Sequence, residues 1–191
     1  MNRNESAAPP VVIVLASGKG RRFVASGGSG SKLDAALGDS TVLAYTLAAV
    51  AASGLLLHVE RADHAGMADS IAAAVRATAA ASGWLILPGD LPLIRADSLS
   101  CVAAALMAGD AIDAVAPRHL GAQGHPVAFA ASVGPALRAL SGEGGAAPVL
   151  RACRVAGRCL ELDLDDAGIT LDIDELADLE RAERLLKSRR S

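Results

Sequence analysis

Residues 11–15, VVIVL, are apolar without interruption and run directly into Ser17-Gly18-Lys19-Gly20-Arg21-Arg22. An unbroken β-branched run of this length is the pattern of a strand covered on both faces, and such strands belong to parallel sheets flanked by helices. A glycine-rich turn at the carboxyl end of that strand lies where open α/β sheets receive ligands. Gly18 and Gly20 let backbone amides approach an anion without an intervening Cβ, and Lys19, Arg21 and Arg22 supply countercharge.

The rest of the chain repeats this alternation. Strand-like runs at about 55–59, 84–87, 113–116 and 125–129 are separated by helix-like stretches at about 41–53, 67–81, 97–108 and 132–154. Ala-rich segments such as TVLAYTLAAVAAS favour helix intrinsically. Asp97 and Ser98 suit a helix cap. RCLELDLD and ITLDID read as two further strands, and ELADLERAERLLKSRR as an amphipathic closing helix. The expectation is a three-layer α/β fold with a mostly parallel sheet. Residues 11–188 form one domain behind a disordered tail over 1–10, and ASGGSGS, residues 25–31, forms a mobile loop.

Composition narrows the function. The 191 residues are 52% hydrophobic, enough to bury a full core, and the net charge is only -3. No long cationic run is present, and one Trp, one Tyr and two Phe cannot build a base-stacking platform, so nucleic acid is not an expected partner. Cys101, Cys153 and Cys159 are odd in number and lack metal-type spacing, which suits reduced thiols. The longest apolar region, Leu43 to Leu57, is broken by Thr46, Ser53 and Gly54, and the first ten residues do not resemble a signal peptide. A soluble cytoplasmic protein with no membrane contact is expected.

Three other stretches place chemistry at strand ends. In WLILPGDLPLI, residues 84–94, two prolines stiffen the loop that carries Asp90, a suitable carboxylate for Mg²⁺ bridging substrate phosphates. The competing reading is a turn aspartate serving its own loop. In LDIDELADLERA, residues 171–182, Asp172 and Asp174 alternate onto one face, where either could join Asp90 at a metal, and Asp174 could instead cap the next helix. In RHLGAQGHPVAF, residues 118–129, His125 is held between Gly124 and Pro126, while His58 and His64 read as ordinary polar residues. A dinucleotide-binding reading of the glycine turn fails on spacing: the third glycine is missing, and no strand precedes Asp39.

In this order the stretches resemble the MobA-like nucleotidyltransferases, most closely the molybdenum cofactor cytidylyltransferase branch. The matching residues are Leu15-Ala16-Ser17-Gly18-Lys19-Gly20-Arg21-Arg22-Phe23, then Lys32, Gly66-Met67-Ala68-Asp69-Ser70, Gly89-Asp90-Leu91-Pro92, Gly124-His125-Pro126-Val127 and Asp172-Ile173-Asp174.

The resemblance implies a nucleotide-diphospho-sugar transferase type of fold with a Rossmann-like nucleotide-binding half. It implies Mg²⁺-dependent transfer of CMP from CTP, rather than GMP from GTP, to a molybdopterin-type acceptor, with pyrophosphate released. Another small phosphorylated acceptor, or a non-catalytic nucleotide-binding partner of a molybdenum hydroxylase, fits the same motifs. Leu15, Ala16, Ser17, Gly18, Gly20 and Ser70 would bind nucleotide, Arg22, Lys32 and Asp90 would be catalytic, and His125 would face the acceptor. Asp90 with Asp172 or Asp174 would hold Mg²⁺.

Two departures stand out. Nine residues separate Arg22 from Lys32, where the family has only a few. The loop at Gly142-Glu143-Gly144-Gly145-Ala146-Ala147 has alanine where the family often has arginine, with Arg151 one turn further on.

Overall fold

The computed structural model describes residues 9–18, 20–109 and 111–190. Lys19 and the part of the expected tail before Pro9 lie outside the described residues. In chain order the strands are β1 (Val11–Leu15), β2 (Ala36–Leu37), β3 (Ser40–Thr41), β4 (Leu56–Glu60), β5 (Gly83–Pro88), β6 (Ala114–His119), β7 (Ala122–Gln123), β8 (Val127–Ala130) and β9 (Cys159–Asp163). The helices are α1 (Arg21–Ala25), α2 (Val42–Ser53), α3 (Met67–Ala77), α4 (Ala96–Met107), α5 (Gly134–Arg138), α6 (Ala147–Val155) and α7 (Leu176–Arg190).

The main sheet runs β4-β1-β5-β8-β6-β7, with β9 also paired to β6. β4, β1 and β5 are mutually parallel, β8 is antiparallel to both β5 and β6, and β6 and β9 are parallel. The sheet is therefore mostly parallel, with β8 and the short β7 reversed.

Strand alternation sorts the core into two layers. Val11 and Ile13 join Ile71, Val75, Trp84, Phe129 and Leu150 on one side, against α3, α5 and α6. Val12 and Val14 join Leu43, Val50, Leu85, Leu99 and Leu106 on the other, against α2 and α4. A third cluster packs Phe23, Leu37, Val42, Leu93, Ile173 and Ala182 beside the sheet edge, which fixes α7 against β2 and α1.

Several local expectations are corrected. The helix expected over 132–154 is two helices, because Gly142 and Gly145 between them take φ of 84° and 54°, left-handed values that break a helix. ITLDID forms no strand: Ala167–Thr170 is a 3₁₀ turn and 171–174 is irregular.

Neither Asp97 nor Ser98 caps α4. The buried carboxylate of Asp166 does so from a distance, accepting from the Arg95 N–H at 2.9 Å and the Ser98 hydroxyl at 2.7 Å. Asp174 does not cap α7, since Asp178 accepts from the amides of Asp174 and Glu175. The glycine-rich loop is tied at its first residues. The Gly28 amide donates to Phe23 O, and Ser26 Oγ accepts from the Leu176 amide.

Candidate active site

Three sequence segments meet at the carboxyl ends of β1 and β5. The Gly89 amide donates to Leu15 O at 3.0 Å, and a Cβ on Gly89 would lie 2.9 Å from that oxygen, so only glycine allows the two strand ends to close this tightly. The next residue, Asp90, accepts through its backbone oxygen from the Ile173 amide at 3.0 Å. Ile173 is buried in the third cluster, and its neighbours Asp172 and Asp174 both face a cleft of about 750 Å³. Their common exposure to the cleft comes from anchoring Ile173, with no ladder of strand pairs involved.

The cleft is lined by Leu15, Ser17, Gly18, Gly20, Arg22 and Lys32 on its β1 side. Ser70 lines its base near α3, and Asp90, His125, Asp172 and Asp174 line the opposite side. Ala16 is absent from the lining; its amide is spent on Glu60 O at 2.8 Å. Despite the longer preceding loop, Lys32 is seated in the site, where its backbone packs against Gly20.

The Lys32 ammonium is nearly buried and lies 2.5 Å from Asp90 Oδ2 and 2.8 Å from Asp174 Oδ1. Burial disfavours its charge, but Asp90 and Asp174 outweigh that and hold its pKa above the ordinary lysine value. The Lys32 hydrogen bond holds the Asp174 carboxyl below the usual range against the effect of burial, with Arg22 adding to it. Arg22 pairs with the other oxygen of Asp174 while most of its own side chain stays in solvent.

Asp172 behaves in the opposite way. Burial and the charges of Asp90 and Asp174 push its carboxyl up, although its own backbone amide and Lys32 pull it down. Among the described residues Asp90 Oδ1 is buried without a hydrogen-bond partner, although the opposite oxygen of the same carboxylate holds Lys32.

His125 reaches the cleft because its amide donates to Ile169 O at 2.9 Å and Gly124 packs against Ile169 too closely for any Cβ. Burial pushes the imidazole pKa down, in spite of the nearby Asp90 and Asp172 charges and a hydrogen bond to the Ile86 backbone. Its Nδ1 is buried and has no hydrogen-bond partner among the described residues.

Ser70 Oγ lies 3.3 Å from Gly66 O and 3.5 Å from Ser17 Oγ, which joins the α3 start to the glycine turn. The loop between α5 and α6 clamps the same place. The Ala68 amide donates to Gly142 O, and the Gly142 amide donates to Asp69. Glu143 of that loop lines the cleft, whereas Arg151 is exposed on α6 and outside the lining.

No sequence motif singled out Glu60, which gathers His58 and His64, the two imidazoles that read as ordinary polar residues. Glu60 is buried at the end of β4, with His58 Nε2 at 3.6 Å and His64 Nε2 at 3.4 Å from its two oxygens. Burial raises the Glu60 carboxyl, but the Ala62 amide and the two imidazoles bring it below its ordinary value overall. His64 also lines the cleft. His58 and Glu60 alternate on β4, and that spacing was the available signal.

A sequence profile for the MobA-like NTP transferase domain matches residues 46–158, more than half of the chain. The chain belongs to this family. As a MobA-like NTP transferase it is a nucleotidyltransferase, and its mixed α/β sheet is the nucleotide-diphospho-sugar transferase type.

Rv0371c of Mycobacterium tuberculosis is similar in fold, with a TM-score of 0.72 and 23% identity over 94% of this chain and 99% of its own. That protein has also been solved in complex with manganese. A nucleotidyl transferase from Methanothermobacter thermautotrophicus gives a TM-score of 0.76 and 20% identity over 94% and 99%. A CMP:2-keto-3-deoxy-manno-octonic acid synthetase complexed with CTP gives 0.64 and 15% over 95% and 99%. No curated protein matches. Among the described residues, no helix is long and apolar enough to cross a membrane.

Proposed function

We propose that this MobA-like transferase moves CMP from CTP to a molybdopterin-type acceptor and releases pyrophosphate. One observation carries the reading: Lys32 and Arg22 converge on Asp174 beside Asp90, at the strand ends of a cleft large enough for a nucleotide. In nucleotidyl transfer the protein chiefly positions the reactants and offsets charge on the reacting phosphates. Lys32 and Arg22 are the side chains placed to do so, while the turn at Ser17, Gly18 and Gly20 would hold the triphosphate.

An oxygen of the acceptor phosphate would form the new bond to the α-phosphorus as the bond to the bridging oxygen of pyrophosphate breaks. The acceptor phosphate is already an anion, so its attack needs no proton removed. His125, which lines the cleft, would face the acceptor, with its burial favouring a neutral ring.

The donor set suits Mg²⁺, an oxygen-seeking cation that needs only one or two protein carboxylates and takes further oxygens from phosphate and water. Asp90, through its buried and unpartnered Oδ1, would hold it together with one of Asp172 and Asp174. When bound, the cation would neutralise phosphate charge in transfer.

The choice of CTP rests on Ser17, which is near in size to the alanine of the cytidylyl branch, and on Ser70 beside it. The reading also expects a cytoplasmic enzyme with a molybdenum hydroxylase as a partner.

The test is a titration of CTP, GTP, ATP and NADPH in the presence of Mg²⁺, on the parent and on Asp90→Asn, followed by pyrophosphate release with molybdopterin. Selective CTP binding that weakens in the variant, and release that depends on molybdopterin, are expected. Binding without nucleotide preference, or unchanged binding by Asp90→Asn, would remove the cytidylyl assignment. Release with a different phosphorylated acceptor alone would change the substrate.

A further inference from the structure

We infer that Asp174 is a positioning residue, the anchor of the two phosphate-facing cations, and that Lys32 transfers from Asp90 to the nucleotide when a divalent cation takes Asp90. This rests on the nucleotidyltransferase reading and divides the work of the carboxylates within it.

The geometry separates Asp174 from Asp172. Both oxygens of Asp174 are engaged, one by the Lys32 ammonium at 2.8 Å and the other by the Arg22 guanidinium. A carboxylate so paired is a poor ligand for a divalent cation, because binding one would mean giving up two charge-assisted hydrogen bonds. Asp172 lines the same cleft as Asp90 from the other side of Ile173, and no described cation pairs with it. Asp90 offers one buried, unpartnered oxygen, while its second oxygen holds Lys32 at 2.5 Å. Asp90 and Asp172 are therefore the metal-facing pair, and Lys32 is the resident countercharge on Asp90.

A nearly buried ammonium cannot stay beside an incoming divalent cation without like-charge repulsion, and it cannot leave without a new anion. The triphosphate is that anion. Asp174, bonded to Lys32 from the opposite side, keeps the ammonium in reach during the exchange. Arg22 has most of its side chain in solvent and can turn toward phosphate from the same anchor. The consequence is coupling: nucleotide binding removes the competing charge from Asp90, so each ligand strengthens the other.

Mn²⁺ binding, followed by electron paramagnetic resonance with and without CTP, tests this on the parent, Asp172→Asn, Asp174→Asn, Asp174→Glu and Lys32→Met. Circular dichroism verifies that each variant is folded. In the parent, CTP should tighten Mn²⁺ by about tenfold or more, and Lys32→Met should tighten Mn²⁺ measured alone while abolishing most of that coupling. Asp172→Asn should weaken Mn²⁺ by about tenfold or more, whereas Asp174→Asn should leave Mn²⁺ affinity in saturating CTP within about threefold and weaken CTP by about tenfold. Asp174→Glu should recover much of the lost CTP affinity.

Equal weakening of Mn²⁺ by Asp172→Asn and Asp174→Asn would make Asp174 a ligand and overturn the inference. Unchanged Mn²⁺ affinity in Lys32→Met would overturn the exchange. A parent that binds Mn²⁺ but no nucleotide would remove the nucleotidyltransferase reading itself, and the inference with it.

Discussion

The two sides of the cleft hold their charges differently. On the β1 side, Arg21 and Arg22 stand largely in solvent at the start of a short helix, and Arg22 pairs with Asp174. On the β5 side, the Asp90 side chain is nearly enclosed and His125 is partly buried, while Asp172 at the cleft rim is exposed. Exposed charges cost little to hold and little to move, because water screens them. Enclosed ones must be compensated locally, and Lys32 crosses the cleft to do this for Asp90. The cationic side is thus free to rearrange toward a ligand, while the anionic side is fixed by the backbone bond between Asp90 and Ile173.

The sharpest way to break this contrast is at Asp90. Asp90→Asn should lower nucleotidyl transfer by about 10²-fold or more, since it strips countercharge from Lys32 and leaves a neutral amide where the metal would meet a carboxylate. A steady-state assay of pyrophosphate release checks it, and a loss under tenfold would mean that the fixed side is dispensable.

Next comes the scaffold of that fixed side. Asp166→Ala should cost about 2–4 kcal/mol, read as a fall in Tm on the order of 5–15 °C, because the Arg95 amide, Ser98 hydroxyl and Gly168 amide all lose their acceptor. Thermal denaturation measures this directly.

A smaller effect is expected on the mobile side. Arg22→Ala should raise KM for the nucleotide by about three- to tenfold with little change in Tm, as an exposed cation contributes to ligand binding more than to folding. An equal loss in kcat would place Arg22 closer to the developing charge than its exposure suggests.

The smallest effect is in pH. Asp174 is depressed below its unfolded value of 3.8, so its contribution to stability is present above that value and lost as pH falls through the depressed folded value. Lys32 is raised above 10.5, so its contribution is present below that value and lost as pH climbs through the raised folded value. The Tm difference between the parent and Asp174→Asn should therefore be flat from about pH 5 to 9 and narrow in more acidic solution. Thermal scans across pH test this, and a slope near neutrality would show another group titrating in the cleft.

Much of the fold was legible because its signals are local. Val11–Leu15 and the run ending at Asp90 read as strands from their uninterrupted apolar character, and they are the two neighbours on which the cleft is built. Misreadings came where a local pattern met a distant constraint. The alternation in LDID imitates a strand, yet Ile173 bonds only to Asp90 O and the segment finds no partner strand among the described residues. The apolar content of 132–154 suggested one helix, but Gly142 turns back to clamp α3.

The candidate site divides in the same way. Gly18, Gly20, Asp90, Asp172 and Asp174 carry recognisable spacing. Lys32 follows a loop longer than the pattern, and only the packing against Gly20 shows that it still reaches Asp90.

By itself the sequence determined the alternation of strands and helices, the strand end that carries the glycine turn, and the inventory of cations and carboxylates available there. Hydrophobic periodicity and glycine placement act over a few residues, so they can be read along the chain. Which carboxylate takes which cation was decided by tertiary structure. Lys32 is 58 positions from Asp90 and 142 from Asp174, and the pairing exists because β1 and β5 lie side by side while Ile173 is buried next to Asp90. Charge pairing depends on distance and burial in space, and those are properties of the folded chain.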